Sequence, residues 1–277
     1  MPSLALRAGG ALLGVVLGLV ASWAADALPR RYGIRPSAST RMRRRRNLFL
    51  VLGAAACGLG LGHVLSQTSG LTGIHAGSLL AFHLVVVAIV LAGAAIDLEH
   101  MILPDELTLG GALLCLVSSP ARSVGLMGAI VGGLVGLAAT YLPFLLYRKL
   151  RGHSGMGLGD AKLVVLAGAW FGPIGALLVL FGGAAMMPLA ALTLRALGVS
   201  YAVPVSVRAE LDVLRARAAE GDRAAASELA DDPMASERGD GLLGARLPLG
   251  PFLALACVVV LFGRRVIEPL LVAWLAG

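Results

Sequence analysis

The chain has 277 residues, of which 58% are hydrophobic and 14% charged; a soluble domain carries roughly a quarter charged residues, and a mean hydropathy of +0.86 makes lipid the solvent for most of it. Period-two alternation is missing, which excludes a β-barrel, and the cysteines at 57, 115 and 257 lie singly in apolar stretches, which excludes a disulfide framework and a thiolate zinc site. The formal net charge of +7 is concentrated in connectors between apolar runs, so it marks membrane topology and not a nucleic-acid surface.

Residues 1–25 are expected to form the first transmembrane helix. Their apolar run, 4–25, exceeds the core of a cleavable leader and carries Arg7 as its one early charge, so it reads as a retained helix. Residues 26–46 follow as a short basic loop ending in Arg-Met-Arg-Arg-Arg-Arg at 41–46, an anchor beside anionic lipid. Residues 47–198 form the membrane core, with apolar runs at 48–65, 77–96, 107–117, 124–147, 163–171 and 173–194. Most of these reach or approach the ~20 residues that an α-helix needs to cross the bilayer, and 107–117 and 163–171 are the short ones.

Residues 199–246 break the pattern and form an expected cytoplasmic insertion holding nine of the sixteen acids. Val207, Leu211, Leu214 and Ala218 recur at helical spacing and predict one short amphipathic helix. The Gly, Asp, Ser and Pro residues after Glu220 predict loop, so the segment reads as a solvated linker or as a docking surface for a cytoplasmic partner. Residues 247–277 carry the last apolar run, 249–262, followed by Arg264 and Arg265. The expected fold is an all-α, polytopic membrane helix bundle of about eight transmembrane helices. Basic connectors at 30–46, 148–151 and 195–246 alternate with connectors poor in Lys and Arg, which places the former in the cytoplasm and the N-terminus outside.

Outside the insertion the acids are Asp26, Asp97, Glu99, Asp105, Glu106, Asp160 and Glu268. Ionisable groups near membrane depth are costly, and therefore candidates for function. Asp97 ends the third apolar run and Asp160 opens the short run at 163–171, both on the expected cytoplasmic face. Two carboxylates held close together cannot both ionise, so one keeps a proton while the other acts as base on water, which is the chemistry of aspartic proteolysis. Gly157 and Gly159 precede Asp160 and would let a substrate backbone approach, and Lys162 follows two residues on, placed to act on Asp160 or on substrate. Asp105 reads as a cap of the next helix, and Glu99 and Glu106 read as exposed interfacial acids. The five histidines lack metal-ligand spacing, so no metal is expected, and Ser154 beside His153 lacks an identifiable base.

The stretches AIDLEHMILPDELTLGG at 95–111 and GHSGMGLGDAKLVVLAGAWFGP at 152–173 resemble, in order and spacing, the two signatures of the type IV prepilin peptidases. RLPLGPFLALACVVVLFG at 246–263 is similar to that family's last helix. The resemblance implies an aspartic membrane peptidase of the bacterial inner membrane that needs no cofactor to cut. Its substrates would be prepilins or pseudopilins of type IV pilus and type II secretion systems, cleaved after a basic leader at the cytoplasmic face. It assigns Asp97 and Asp160 as catalytic, Gly157 and Gly159 as the motif glycines, and Asp105 to the Pro-Asp element. Many members carry CxxC pairs in an enlarged first loop and also N-methylate the product with S-adenosylmethionine. Here that loop lacks cysteine, and Ser22 and Ala27 stand where Asn and Arg are usual, so methyl transfer stays open. A transporter using the same acids, or a non-catalytic pilus or secretion assembly component, is the alternative reading.

Overall fold

The computed structural model describes residues 2–34, 39–68, 73–151, 157–198, 204–231 and 247–276. Among the described residues the regular elements are helices: α1 Pro2–Arg31, α2 Thr40–Ser66, α3 Gly73–His100, α4 Asp105–Val117, α5 Gly125–Arg151, α6 Leu158–Phe171, α7 Pro173–Ala196, α8 Val205–Ala219, α9 Arg223–Asp231 and α10 Gly250–Ala276, with a single 3₁₀ turn at Ser119–Ala121. The fold is all-α, as the composition requires.

Of the eight spans expected, five are long and apolar enough to cross: Leu4–Arg31, Thr40–Ser66, Gly73–His100, Gly125–Leu150 and Pro173–Ala196. The short runs become α4 with 13 residues and α6 with 14, each roughly 20 Å long at 1.5 Å per residue, which falls short of a ~30 Å hydrocarbon core. The last run continues past Arg264 and Arg265 as one helix, α10, whose shorter apolar part is Gly250–Gly263. These elements make a multi-pass membrane bundle, with large side chains such as Leu12, Trp23, Phe49, Leu134 and Phe181 exposed on its lipid-facing surface.

Half of α3's most apolar window is buried, against 11% for α7, so α3 is the central post. Around it Leu84, Val87, Val90, Leu166, Trp170, Leu253 and Cys257 form the main core, and Cys57, Cys115 and Cys257 are buried free thiols. Small residues set the closest crossings, as expected where packing and not water exclusion holds helices together. On α1, Gly10, Gly14 and Gly18 lie one turn apart, and a Cβ on any of them would run into the α2 backbone at Gly58, Ala54 and Leu50–Val51. Gly132 of α5 and Gly168 of α6 meet backbone to backbone in the same way.

The two short helices end inside the bundle, where their last carbonyls would lack partners. At α4 the Ser118 and Ser119 hydroxyls donate to the Leu114, Cys115 and Leu116 carbonyls, and Arg122 serves the end of α6 and joins it to α4. Its Nη1 donates to Trp170 O at 2.7 Å, and its Nη2 donates to Ala169 O at 3.1 Å and to Cys115 O. The guanidinium lies 4.6 Å from the centroid of the Phe82 ring, and Trp170 Nε1 donates to His83 Nδ1 at 2.9 Å. One fork thus ties the ends of α4 and α6 to each other, against the flank of α3.

The loop expected over residues 26–46 is shorter in the structure, because α1 runs on to Arg31 and α2 begins at Thr40. Its acid and its bases explain why: Asp26 accepts from Arg43 at 2.8 Å and from Arg46 at 2.6 Å, which draws the Arg run into the first turns of α2. In the insertion the predicted helix is α8. The loop predicted after Glu220 is instead helical over α9, because Asp222 caps it, accepting from the backbone N–H groups of Ala224 and Ala225 at 2.9 and 3.2 Å. Residues 232–246 lie outside the described residues.

Candidate functional site

Four helix ends meet at one end of the bundle. Helix α3 stops at His100 because Met101 takes up a left-handed conformation, φ 54°, a costly one for a side chain with a Cβ. Its N–H closes the last turn on Asp97 O at 2.8 Å. Pro104 then starts α4, its carbonyl accepting from Leu107 and Thr108. Asp97 is therefore on the last turn of α3, Asp160 on the first turn of α6, and Gly250 is the first residue of α10.

Asp97 and Asp160, far apart in the chain, line one cavity of about 990 Å³. Asp97 is buried at 6% exposure, and its Oδ2 accepts the Gly250 backbone N–H at 3.0 Å. That N–H is one of the donors a helix leaves unused at its N-terminus, so α10 is aimed at the carboxylate. A Cβ on Gly250 would lie 2.5 Å from Asp97 Oδ2; only glycine fits. Asp160 is partly buried, with its N–H donating to Gly157 O at 3.2 Å.

The motif glycines also line the cavity. A Cβ on Gly157 would come within 3.3 Å of Asp160 Oδ2, and one on Gly159 within 3.0 Å of Leu103 Cβ. Gly157 keeps the space beside the carboxylate open, and Gly159 lets α6 pack against the α3–α4 connection. Lys162 lines the cavity too, with its ammonium on Asp105 Oδ1 at 2.6 Å, so its closest acid is Asp105 and not Asp160. Asp105 does not cap α4 as expected: Pro104 holds the cap position without a side-chain bond, and the Asp105 carboxylate crosses to α6 instead.

Glu99 departs from its expected exposure. It is 17% exposed and takes Arg46 Nη1 at 2.8 Å, and Arg46 in turn holds Asp26. Next to it His100, another wall of the cavity, is 3% exposed, with Nε2 3.9 Å from Glu99. Its buried Nδ1 has no hydrogen-bond partner among the described residues. Glu106 remains open and accepts the Tyr32 hydroxyl at 2.9 Å. This bond pushes the Tyr32 phenol above its ordinary pKa and closes the exit of α1 onto α4. Among the described residues no group of three His, Cys, Asp or Glu gathers as metal ligands do.

The arrangement offers two carboxylates on one cavity, one fixed by a backbone donor and the other beside a glycine that keeps space open. Gly250 and His100 escaped the sequence reading, since a glycine at a helix start and an isolated histidine carry no spacing signal; only folding brings them beside Asp97.

Residues 84–192 match the type IV leader peptidase family. A prepilin leader peptidase/N-methyltransferase of Dichelobacter nodosus is 26% identical over 189 residues, 68% of this chain and 50% of that protein. One of Xanthomonas campestris pv. campestris is 36% identical over 121 residues, 41% of this chain and 40% of the relative. One of Aeromonas hydrophila is 40% identical over 81 residues, 28% and 27% of the two chains. The chain thus spans half or less of the length of these relatives, and no solved structure matches it. The matched segment takes in Asp97, Asp105, the motif glycines and Asp160.

Proposed function

We propose that this protein is an intramembrane aspartic endopeptidase that removes the basic leader of type IV prepilins or type II secretion pseudopilins. The observation that carries the reading is that Asp97 and Asp160, from the ends of two different helices, line a single cavity. With one proton between them, the ionised carboxylate takes a proton from water as the water attacks the scissile carbonyl. The protonated one then hydrogen-bonds the developing oxyanion and returns a proton to the leaving amine. Gly157 leaves room for the substrate main chain beside Asp160, Gly159 lets α6 pack on Leu103, and Lys162 holds Asp105 at the cavity wall. The Gly250 N–H fixes one Asp97 oxygen, so the other is the one turned to chemistry.

Membrane orientation follows from charge. Arg46, on the basic run that opens α2, binds Glu99 two residues from Asp97, so the site shares its end of the bundle with the segment the positive-inside rule puts in the cytoplasm. Cleavage is therefore assigned to the cytoplasmic face of the bacterial inner membrane, in the bilayer that also holds the apolar part of the substrate. The names of the relatives, which join peptidase and N-methyltransferase, support the peptidase half here; the residues for methyl transfer stay unassigned.

The test is to incubate the purified protein in liposomes with a prepilin and to weigh the product. Loss of the leader mass is expected, and a further methyl increment would add transferase activity. An unshortened prepilin would overturn the proposal, and proton-driven solute flux in its place would make the protein a transporter.

A further inference from the structure

The cavity has a wall that the chemistry does not use. Val207, Ala209 and Glu210 of α8 line it together with Tyr32, Asp97 and Asp160, although α8 belongs to the insertion between α7 and α10 and not to the membrane core. Helix α8 packs chiefly on α9, burying Leu211, Leu214 and Ala225 between them. The apolar stripe of α8 is buried at Leu211 and Leu214, and the first turns of the helix reach the cavity through Val207, Ala209 and Glu210.

Accounting for charge on the cavity wall isolates one group. The lining carboxylates are Asp97, Asp105, Asp160 and Glu210, and the lining bases are His100 and Lys162. Asp97 and Asp160 carry the proposed chemistry, and Lys162 is spent on Asp105 at 2.6 Å. Glu210 is exposed and makes no ion pair among the described residues. An uncompensated carboxylate on the wall of a cavity that takes a peptide attracts a cationic side chain and repels an acidic one.

We propose that the α8–α9 hairpin is part of the substrate site and that Glu210 selects the substrate by receiving a Lys or Arg side chain of the segment being cut. The insertion is then a specificity element, not a passive linker. This rests on the peptidase reading above. Because the pair forms at an open wall, its effect is modest in binding and larger in discrimination, where reversal adds repulsion to lost attraction.

The experiment is a charge swap. Prepilins carrying single Lys→Glu or Arg→Glu changes along the leader are cleaved by wild-type protein and by Glu210→Lys, with Asp97→Asn as the inactive reference. For one leader position, wild-type protein is expected to lose about tenfold in kcat/KM on the acidic substrate, and Glu210→Lys to reverse that preference. Glu210→Gln should weaken the discrimination without reversing it. If Glu210→Lys retains the wild-type preference at every position while Asp97→Asn is inactive, the role of Glu210 is overturned and the peptidase reading stands. If Asp97→Asn cuts normally, the peptidase reading itself falls.

Discussion

A methyl group on Gly250 would sit 2.5 Å from Asp97 Oδ2, so Gly250→Ala must push the carboxylate aside or tilt α10. Misplacing a reacting group by about 1 Å costs on the order of a hundredfold in rate, and that loss is expected in prepilin cleavage by Gly250→Ala with membrane insertion unchanged. Wild-type turnover would show that the hydrogen bond from α10 does not matter. At Met101 the left-handed backbone, φ 54°, predicts the opposite sign: Met101→Gly relieves about 1 kcal/mol of strain, read as a raised melting temperature in detergent, and a lowered one would refute it. The sequence made Asp97 and Asp160 legible because scarce acids stand out in an apolar chain. It could not reveal that Glu99 is held by Arg46 or that Asp105 reaches Lys162, since both pairs join residues from different helices.

Helices α4 and α6 are too short to cross the bilayer; Ser118 and Ser119 cap the first, and Arg122 lets the second stop and ties the two ends together. Arg122→Leu takes the side-chain donor from the Trp170 and Ala169 carbonyls, while Cys115 O keeps the Ser118 hydroxyl, and burying the two unpaired is expected to cost about 3 kcal/mol, seen as a lower thermal midpoint in detergent. Arg122→Lys keeps the charge but loses the fork and should recover part of the loss; an unchanged midpoint for Arg122→Leu would contradict the capping role. Likewise Gly14→Leu must separate α1 from α2, whose backbones touch there, and the same measurement should show it. The apolar runs foretold the five long helices, because bilayer thickness fixes their length. They could not tell a half-length helix from a weak span: what decides is the partner of the terminal carbonyls, and nothing in the sequence assigns Arg122 to them. Helix α9 was missed for a related reason, as its polar composition reads as loop until Asp222 is seen capping it.

On the scale of the molecule, the site exists only as an assembly. Helix α3 brings Asp97, α6 brings Asp160, α10 brings a backbone donor, and α8 supplies a wall from outside the membrane core. All-α class and the membrane setting could be read from one dimension, and so could the two aspartates as candidates, whereas their meeting on one cavity at the ends of several helices could not. If the aspartates share a proton, their pH–rate profile is bell-shaped and its limbs belong to the pair and not to either residue; a flat profile would contradict sharing. The most direct test is the cleavage rate of one prepilin by wild type, Asp97→Asn, Asp160→Asn and the double variant, all reconstituted in the same lipid. Residues that act as one unit fail together, so both single variants and the double are expected to be equally inactive. Cleavage at the wild-type rate by either single variant would contradict the account.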